Sequence, residues 1–131
     1  SANLAIEKKP SDVHAVLVDF HAEATSEKVA MGWYLDGRVS GVVGTHTHIP
    51  TADERVLPGG TAHISDVGMT GCYNSVIGME TSGVLKRFVK RVPERFEVAS
   101  GPASVCGVVI DIDETTGTSR GIARVRADEK G

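Results

Sequence analysis

Residues 15–45 read in the order strand, helix, strand, and that order constrains the fold more than anything else in the chain. Ala15-Val16-Leu17-Val18-Asp19-Phe20 is a short apolar run with β-branched content, which predicts a buried strand. Thr25 or Ser26 can cap the next segment, with Glu27 in its first turn. Val29, Ala30, Trp33 and Tyr34 then recur at helical spacing, and Asp36-Gly37 supplies a stop. A second apolar strand follows over 39–45. Two strands joined by a helix lie parallel through a right-handed crossover, and strands this apolar have both faces covered. The expectation is an α/β fold.

The rest of the chain is less regular. Residues 1–12 are polar, carry Lys8-Lys9-Pro10 and read as a lead-in; the folded part is expected over 13–131. Residues 46–73 are loop-rich around one short strand near 61–65, and a stretch this long in a compact domain is often functional. Val84, Leu85, Phe88, Val89 and Val92 mark a helix face that Pro93 ends, and 96–99 reads as a strand. Cys106, Val108, Ile110 and Ile112 alternate with Val105, Gly107, Val109 and Asp111. With a turn at Glu114-Thr115-Thr116-Gly117 and a return over 119–126, this predicts an antiparallel hairpin.

Charge and cysteine content exclude several functions. Lys plus Arg is 14 against 17 for Asp plus Glu, a net charge of −3, which removes the footprint of a nucleic-acid polymer or anionic-membrane binder. No apolar run approaches the roughly 18 residues of a membrane span. Cys72 and Cys106 make neither a disulfide framework nor a zinc finger, and read as reduced thiols of a cytoplasmic protein. The turn after Asp111-Ile112-Asp113 lacks the Gly and Glu of a calcium loop. No phosphate-binding loop or nucleophile elbow occurs, and Cys72 has no base beside it in sequence.

The histidines carry the chemistry. His21 stands one residue past the first strand, and His46 and His48 stand at the end of the second. Both strands therefore deliver imidazoles at their carboxyl ends, the edge at which open α/β sheets bind ligands. In extended backbone His46 and His48 project to one side, placed to reach two neighbouring metal ions. His14 and His63 lack this placement and read as structural or exposed. Asp19 and Glu23 suit the orientation of ligands or capping of the helix. Three histidines alone suit a mononuclear zinc site, while Asp53, Glu54 and Asp66 add carboxylates that admit manganese or iron as well, and spacing does not select among them. Within 58–78, Asp66, Thr70, Tyr73 and Asn74 are either polar contacts to a substrate or parts of a surface loop whose glycines make turns. Asp53-Glu54-Arg55 either holds a ligand anion through Arg55 or, the favoured reading, forms an ion pair internal to its loop.

Three phrases resemble one family: Val18-Asp19-Phe20-His21-Ala22-Glu23-Ala24-Thr25-Ser26-Glu27-Lys28; Gly44-Thr45-His46-Thr47-His48-Ile49-Pro50-Thr51-Ala52-Asp53-Glu54-Arg55; and Pro58-Gly59-Gly60-Thr61-Ala62 leading to Ser65-Asp66-Val67-Gly68-Met69-Thr70-Gly71. They are similar to the YmdB family of bacterial calcineurin-like metallophosphoesterases. The resemblance implies the C-terminal half of a sandwich of mixed β-sheets flanked by helices, ending in the antiparallel hairpin. It also implies hydrolysis of phosphodiesters, cyclic nucleotides of the 2′,3′-cyclic AMP type above all. The centre would hold two divalent ions, of iron, manganese, magnesium or zinc. Three of its ligands fall on His21, His46 and His48.

Members of that family are roughly double this length. Their first half brings an Asp ligand, a Glu-Asn pair and an Asn-His motif that supplies the proton donor. None of these motifs is present, and Asn3 and Asn74 stand in no such motif. No catalytic acid is expected within this chain, which begins Ser1-Ala2-Asn3 without Met and reads as a piece of a single domain. Association with itself or with the other half is expected. The competing expectation is a catalytically silent fragment, or a module that binds a small ligand without chemistry.

Overall fold

The strand–helix–strand unit forms as expected. In the computed structural model, which describes residues 2–129, β1 (Leu17–His21) lies parallel to β2 (Gly41–Thr45), with Leu17 opposite Gly41 and His21 opposite Thr45. Helix α2 (Thr25–Leu35) makes the crossover. Strand β3 (Arg55–Val56) pairs antiparallel with β4 (Ala62–Ile64), and β4 lies parallel to β2, giving the order β1-β2-β4-β3. A second sheet, in the order β5-β6-β7, holds β5 (Thr70–Cys72), β6 (Ala103–Ile112) and β7 (Ser119–Asp128). Helix α3 (Thr81–Lys90) lies between β5 and β6 along the chain, and α1 (Ala2–Glu7) precedes β1.

The core explains which strands are covered. Leu35, Val39 and Val42 form its centre, and Ala2, Ile6, Val16, Val18, Phe20 and Met31 pack around them. Strand β2 is central and buried from Gly41 through Gly44, as its apolar sequence requires. Strand β1 departs from the expectation. It is the sheet's edge among the described residues, and Leu17 remains 59% exposed. The lead-in also departs from it: residues 2–7 form α1, which lays Ala2 and Ile6 on the core. Six residues are too few for a helical period to stand out in sequence.

Helix α2 buries a different face from the one its aromatics suggest. Lys28, Gly32 and Leu35 point inward, while Trp33 and Tyr34 are half exposed. Gly32 is the cause: a Cβ there would meet His63 Nδ1 at 2.7 Å, so the absent side chain lets the helix settle on β4. The displaced rings receive guanidinium groups instead, Arg55 over Trp33 and Arg38 over Tyr34. The cap is Ala24, without a side-chain bond, and neither Thr25 nor Ser26. On α3 Val84 alone of the expected stripe is buried, while Leu85, Phe88 and Val89 face outward. That helix closes at Arg91 in the left-handed region, ahead of Pro93, and the strand expected at 96–99 is a single bridge from Val98 to Met79.

The hairpin forms with the expected alternation: Cys106, Val108, Ile110 and Ile112 are partly buried, and Val105 and Val109 are exposed. Its inward face meets the first sheet. Ser119 Oγ donates to Ser40 O at 2.6 Å, Ser119 N donates to Gly60 O at 2.7 Å, and Ile110 lies over Gly41. Gly117, at φ +75°, closes the turn where a Cβ would lie 2.2 Å from His14 O. Two sheets thus pack face to face, with the carboxyl ends of β1 and β2 together at one edge. Among the described residues no helix is long and apolar enough to cross a membrane.

Candidate metal centre

Parallel register places the site. Because His21 pairs with Thr45, the last residues of β1 and β2 end side by side, and the chain leaves β2 directly into His46-Thr47-His48. His46 lies at φ 113° and His48 at φ 68°. Left-handed backbone at a non-glycine residue costs about 1–3 kcal/mol and is held only where surrounding structure imposes it. The extended His-x-His geometry inferred from spacing is therefore absent. The turn sends His46 back toward β1 and His48 toward the segment before α3.

The structure brings two of the three expected ligands together. His46 Nδ1 lies 3.1 Å from His21 Nε2, with the rings edge to face and their centroids 4.9 Å apart. His48 stands apart, its Nδ1 2.8 Å from Ile77 O. Among the described residues, no group of three His, Cys, Asp or Glu side chains is gathered closely enough to enclose an ion.

Hydrogen bonds assign the proton on two of these rings. A carbonyl oxygen only accepts, so His48 Nδ1 donates to Ile77 O, which in the neutral ring leaves the lone pair on Nε2. Thr45 Oγ1 donates to Asp19 Oδ1 at 2.9 Å, so it accepts from His21 Nδ1 at 3.0 Å. In the neutral ring His21 Nε2 is then the acceptor nitrogen, 3.1 Å from His46 Nδ1. Asp19 is thus linked to His21 through the Thr45 hydroxyl.

Of the residues expected to touch substrate, Thr70 is exposed at the start of β5, in a cleft of about 380 Å³ that His48, Ile77 and Met79 also line. Tyr73 is half buried. Its hydroxyl accepts from Met69 N at 3.1 Å and lies 3.2 Å from Met69 O, and Arg126 stacks on its ring. Burial raises the phenol above its ordinary pKa, so the hydroxyl keeps its proton. Asp66 lies inside the fold. It is 1% exposed, and its carboxylate accepts from Lys28 Nζ at 2.8 Å and from the Thr47 and Gly68 amides, each at 2.9 Å.

Asp53 and Glu54 are bonded within the fold. Asp53 accepts from Thr51 Oγ1 and Ser65 N. Glu54 pairs across the sandwich with Arg124 at 2.8 Å, not with Arg55 as expected, because Arg55 is drawn onto Trp33. His63 is buried against Val42 O, and desolvation there lowers its pKa, while His14 is exposed. Sequence reasoning missed Lys28 and Thr45. A lysine in a helix reads as solvated, and a strand threonine carries no periodic signal.

Known proteins resemble this chain in sequence and in fold. The family model described as YmdB-like protein matches residues 1–125. The 2′,3′-cyclic-nucleotide 2′-phosphodiesterase of Bacillus subtilis (strain 168) is 57% identical over 110 residues, covering 84% of this chain and 42% of that protein. A crystal structure of a hypothetical protein from Thermus thermophilus superposes with a TM-score of 0.89 at 43% identity, over 98% of this chain and 50% of that one. A crystal structure of a novel phosphatase from Mycoplasma pneumoniae gives a TM-score of 0.87 at 40% identity, over 98% of this chain and 45% of that one. The chain spans about half the length of the relatives it matches.

Proposed function

Because the chain belongs to the YmdB-like family, we propose that it carries one set of ligands of a divalent-metal phosphodiesterase centre acting on 2′,3′-cyclic nucleotides. The fold is the calcineurin-like α/β sandwich of that family, ending in antiparallel strands. The observation that carries the reading is the convergence of His21 Nε2 and His46 Nδ1 to 3.1 Å at the carboxyl edge of the sheet. Two imidazole nitrogens sharing one ion, each about 2.1 Å from it, lie about 3.0–3.4 Å apart. The donor set therefore fits a metal. His21 and His46 would share one ion, and His48 would offer Nε2 toward a second.

Ions held there supply charge neutralisation on the phosphate and activation of water. This chain's contribution is orientation. Asp19 and Thr45 fix the His21 tautomer, Ile77 O fixes that of His48, and Thr70 faces the same cleft as His48. Two or three imidazoles do not complete either ion's shell, and none of the motifs in this chain supplies the acid for the leaving oxygen. Hydrolysis is accordingly expected when a complementary first half is supplied. The open edge of β1, with Leu17 exposed, supports association there.

The test measures Mn²⁺ or Zn²⁺ uptake by calorimetry and hydrolysis of 2′,3′-cyclic AMP, with and without that half. His46→Ala and His48→Ala are each expected to lower hydrolysis at least 100-fold. Activity that survives both substitutions would overturn the reading, as would a wild-type chain that binds no metal when its complement is present. Thr45→Val should weaken metal binding about 10- to 100-fold by freeing the His21 tautomer. Nitrogen chemical shifts of His21 report the tautomer directly, and an unchanged Nδ1–H tautomer in that variant would exclude the role given to Thr45.

A further inference from the structure

We infer that the buried Lys28–Asp66 ion pair is the device that positions the His46-Thr47-His48 turn, a role that rests on the metal-centre reading above. Lys28 and Asp66 are each 1% exposed and lie 2.8 Å apart. Burying two charges is costly, and apolar side chains of similar size often fill such a space with equal or better stability. A pair retained for packing alone would be a poor use of this position. The other bonds of Asp66 identify what the pair does.

Oδ2, the oxygen bound by Lys28, also accepts from Thr47 N, and Oδ1 accepts from Gly68 N. Thr47 is the residue between the two left-handed histidines. Its amide is thus tied to an ionised, buried acceptor, a stronger bond than one to a neutral carbonyl. The main chain of Asp66 is tied to the following segment as well, through Thr51 N to Asp66 O and Asp66 N to Thr51 Oγ1. Lys28 supplies the counter-charge for the carboxylate that holds the Thr47 amide.

The path for the lysine is itself built in. A Cβ at residue 44 would come within 2.8 Å of Lys28 Cδ, so the glycine near the end of the site's entry strand also admits the stem. Helix α2, through Lys28 and Asp66, therefore sets the backbone on which His46 and His48 stand. Lys28 and Asp66 are positioning residues. Neither is bonded to an imidazole.

The decisive comparison is Lys28→Met with Asp66→Leu against Lys28→Met with Asp66→Asn. Both double variants remove the ion pair without stranding a charge, and the second alone keeps a side-chain acceptor for Thr47 N. Exchange of the Thr47 amide, thermal unfolding and Mn²⁺ affinity are read on the same samples, with the complementary half present for the affinity. The Leu double variant should unfold near the wild-type temperature yet exchange Thr47 at least 10-fold faster and bind Mn²⁺ at least 10-fold more weakly. The Asn double variant should lie between it and wild type.

Unchanged Thr47 protection in the Leu variant overturns the inference, and so does lost protection with wild-type affinity. Lost protection where no sample binds metal, wild type included, upholds the hold on the turn and overturns the metal-centre reading instead. Should the Leu variant fail to fold, the wild-type chain decides: its Thr47 amide must be protected like those of β2, and exchange at the rate of an open loop overturns the inference.

Discussion

Gly44→Ala is expected to cost at least about 3 kcal/mol of stability, enough to unfold a domain of marginal stability at room temperature. A Cβ at this position would lie 1.8 Å from Ser65 O and 2.6 Å from Ser65 C. Those are backbone atoms, so no rotamer change relieves the overlap. The surroundings are also fixed. Val67 N donates to Gly44 O at 2.9 Å, and Val42 and Val43 are in register with His63 and Ile64 of β4. The methyl group must therefore push the segment after β4 away from β2 by about an ångström or more, which exceeds what overpacked cores absorb. The same shift separates Asp66 from Thr47. A useful control is Gly121→Ala, where nothing lies within 4 Å of the added carbon and the change should stay within about 0.5 kcal/mol. Urea unfolding of both variants checks the contrast. A Gly44→Ala midpoint equal to wild type would show that β2 and the Ser65 backbone are not in this contact.

What is legible in the sequence follows the range of each interaction. The β1–α2–β2 order and the terminal hairpin rest on local period and turn chemistry, so residues 15–45 and 103–128 are readable. The placement of His21, His46 and His48 at strand ends follows from the same order. The features that escape a sequence reading depend on contacts distant along the chain. The inward face of α2 is decided by a glycine, Gly32, meeting His63 far along the chain. Asp66 reads as a loop carboxylate open to ligand because its partner, Lys28, sits 38 residues away on a helix. Spacing carries no φ, so His46 and His48 read as extended, whereas the left-handed backbone of both residues separates rings that a strand would align. The supports around these histidines lie in contacts that local pattern cannot encode.

Asp66→Asn is expected to lower stability by about 3–5 kcal/mol at pH 7, because it leaves the Lys28 ammonium buried without its counter-charge. The same change should flatten the acid side of the stability profile. Burial pushes the Asp66 carboxyl up, but the Lys28 ion pair and the bonds from Thr47 and Gly68 outweigh it and hold the group below the usual carboxylate range. A carboxyl depressed in the folded state stabilises fully above its unfolded pKa, about 3.9, and that contribution is lost as pH falls through the folded value. Asp53 behaves alike: burial raises it, and the bonds from Thr51 and Ser65 more than compensate. His63 adds a limb at higher pH. Desolvation lowers its pKa, so below about 6.5 the unfolded chain takes up a proton that the folded one refuses. Wild type and Asp66→Asn should therefore lose stability together between about pH 7 and 5. The gap between them should narrow below about pH 4 and close as the wild-type carboxylate is itself protonated and the advantage of its charge disappears. Urea midpoints taken from about pH 7.5 to 3 measure the gap directly. A gap that stays constant to the acid end would mean that the deficit of the variant comes from shape alone, and that the charge on Asp66 does not stabilise the fold.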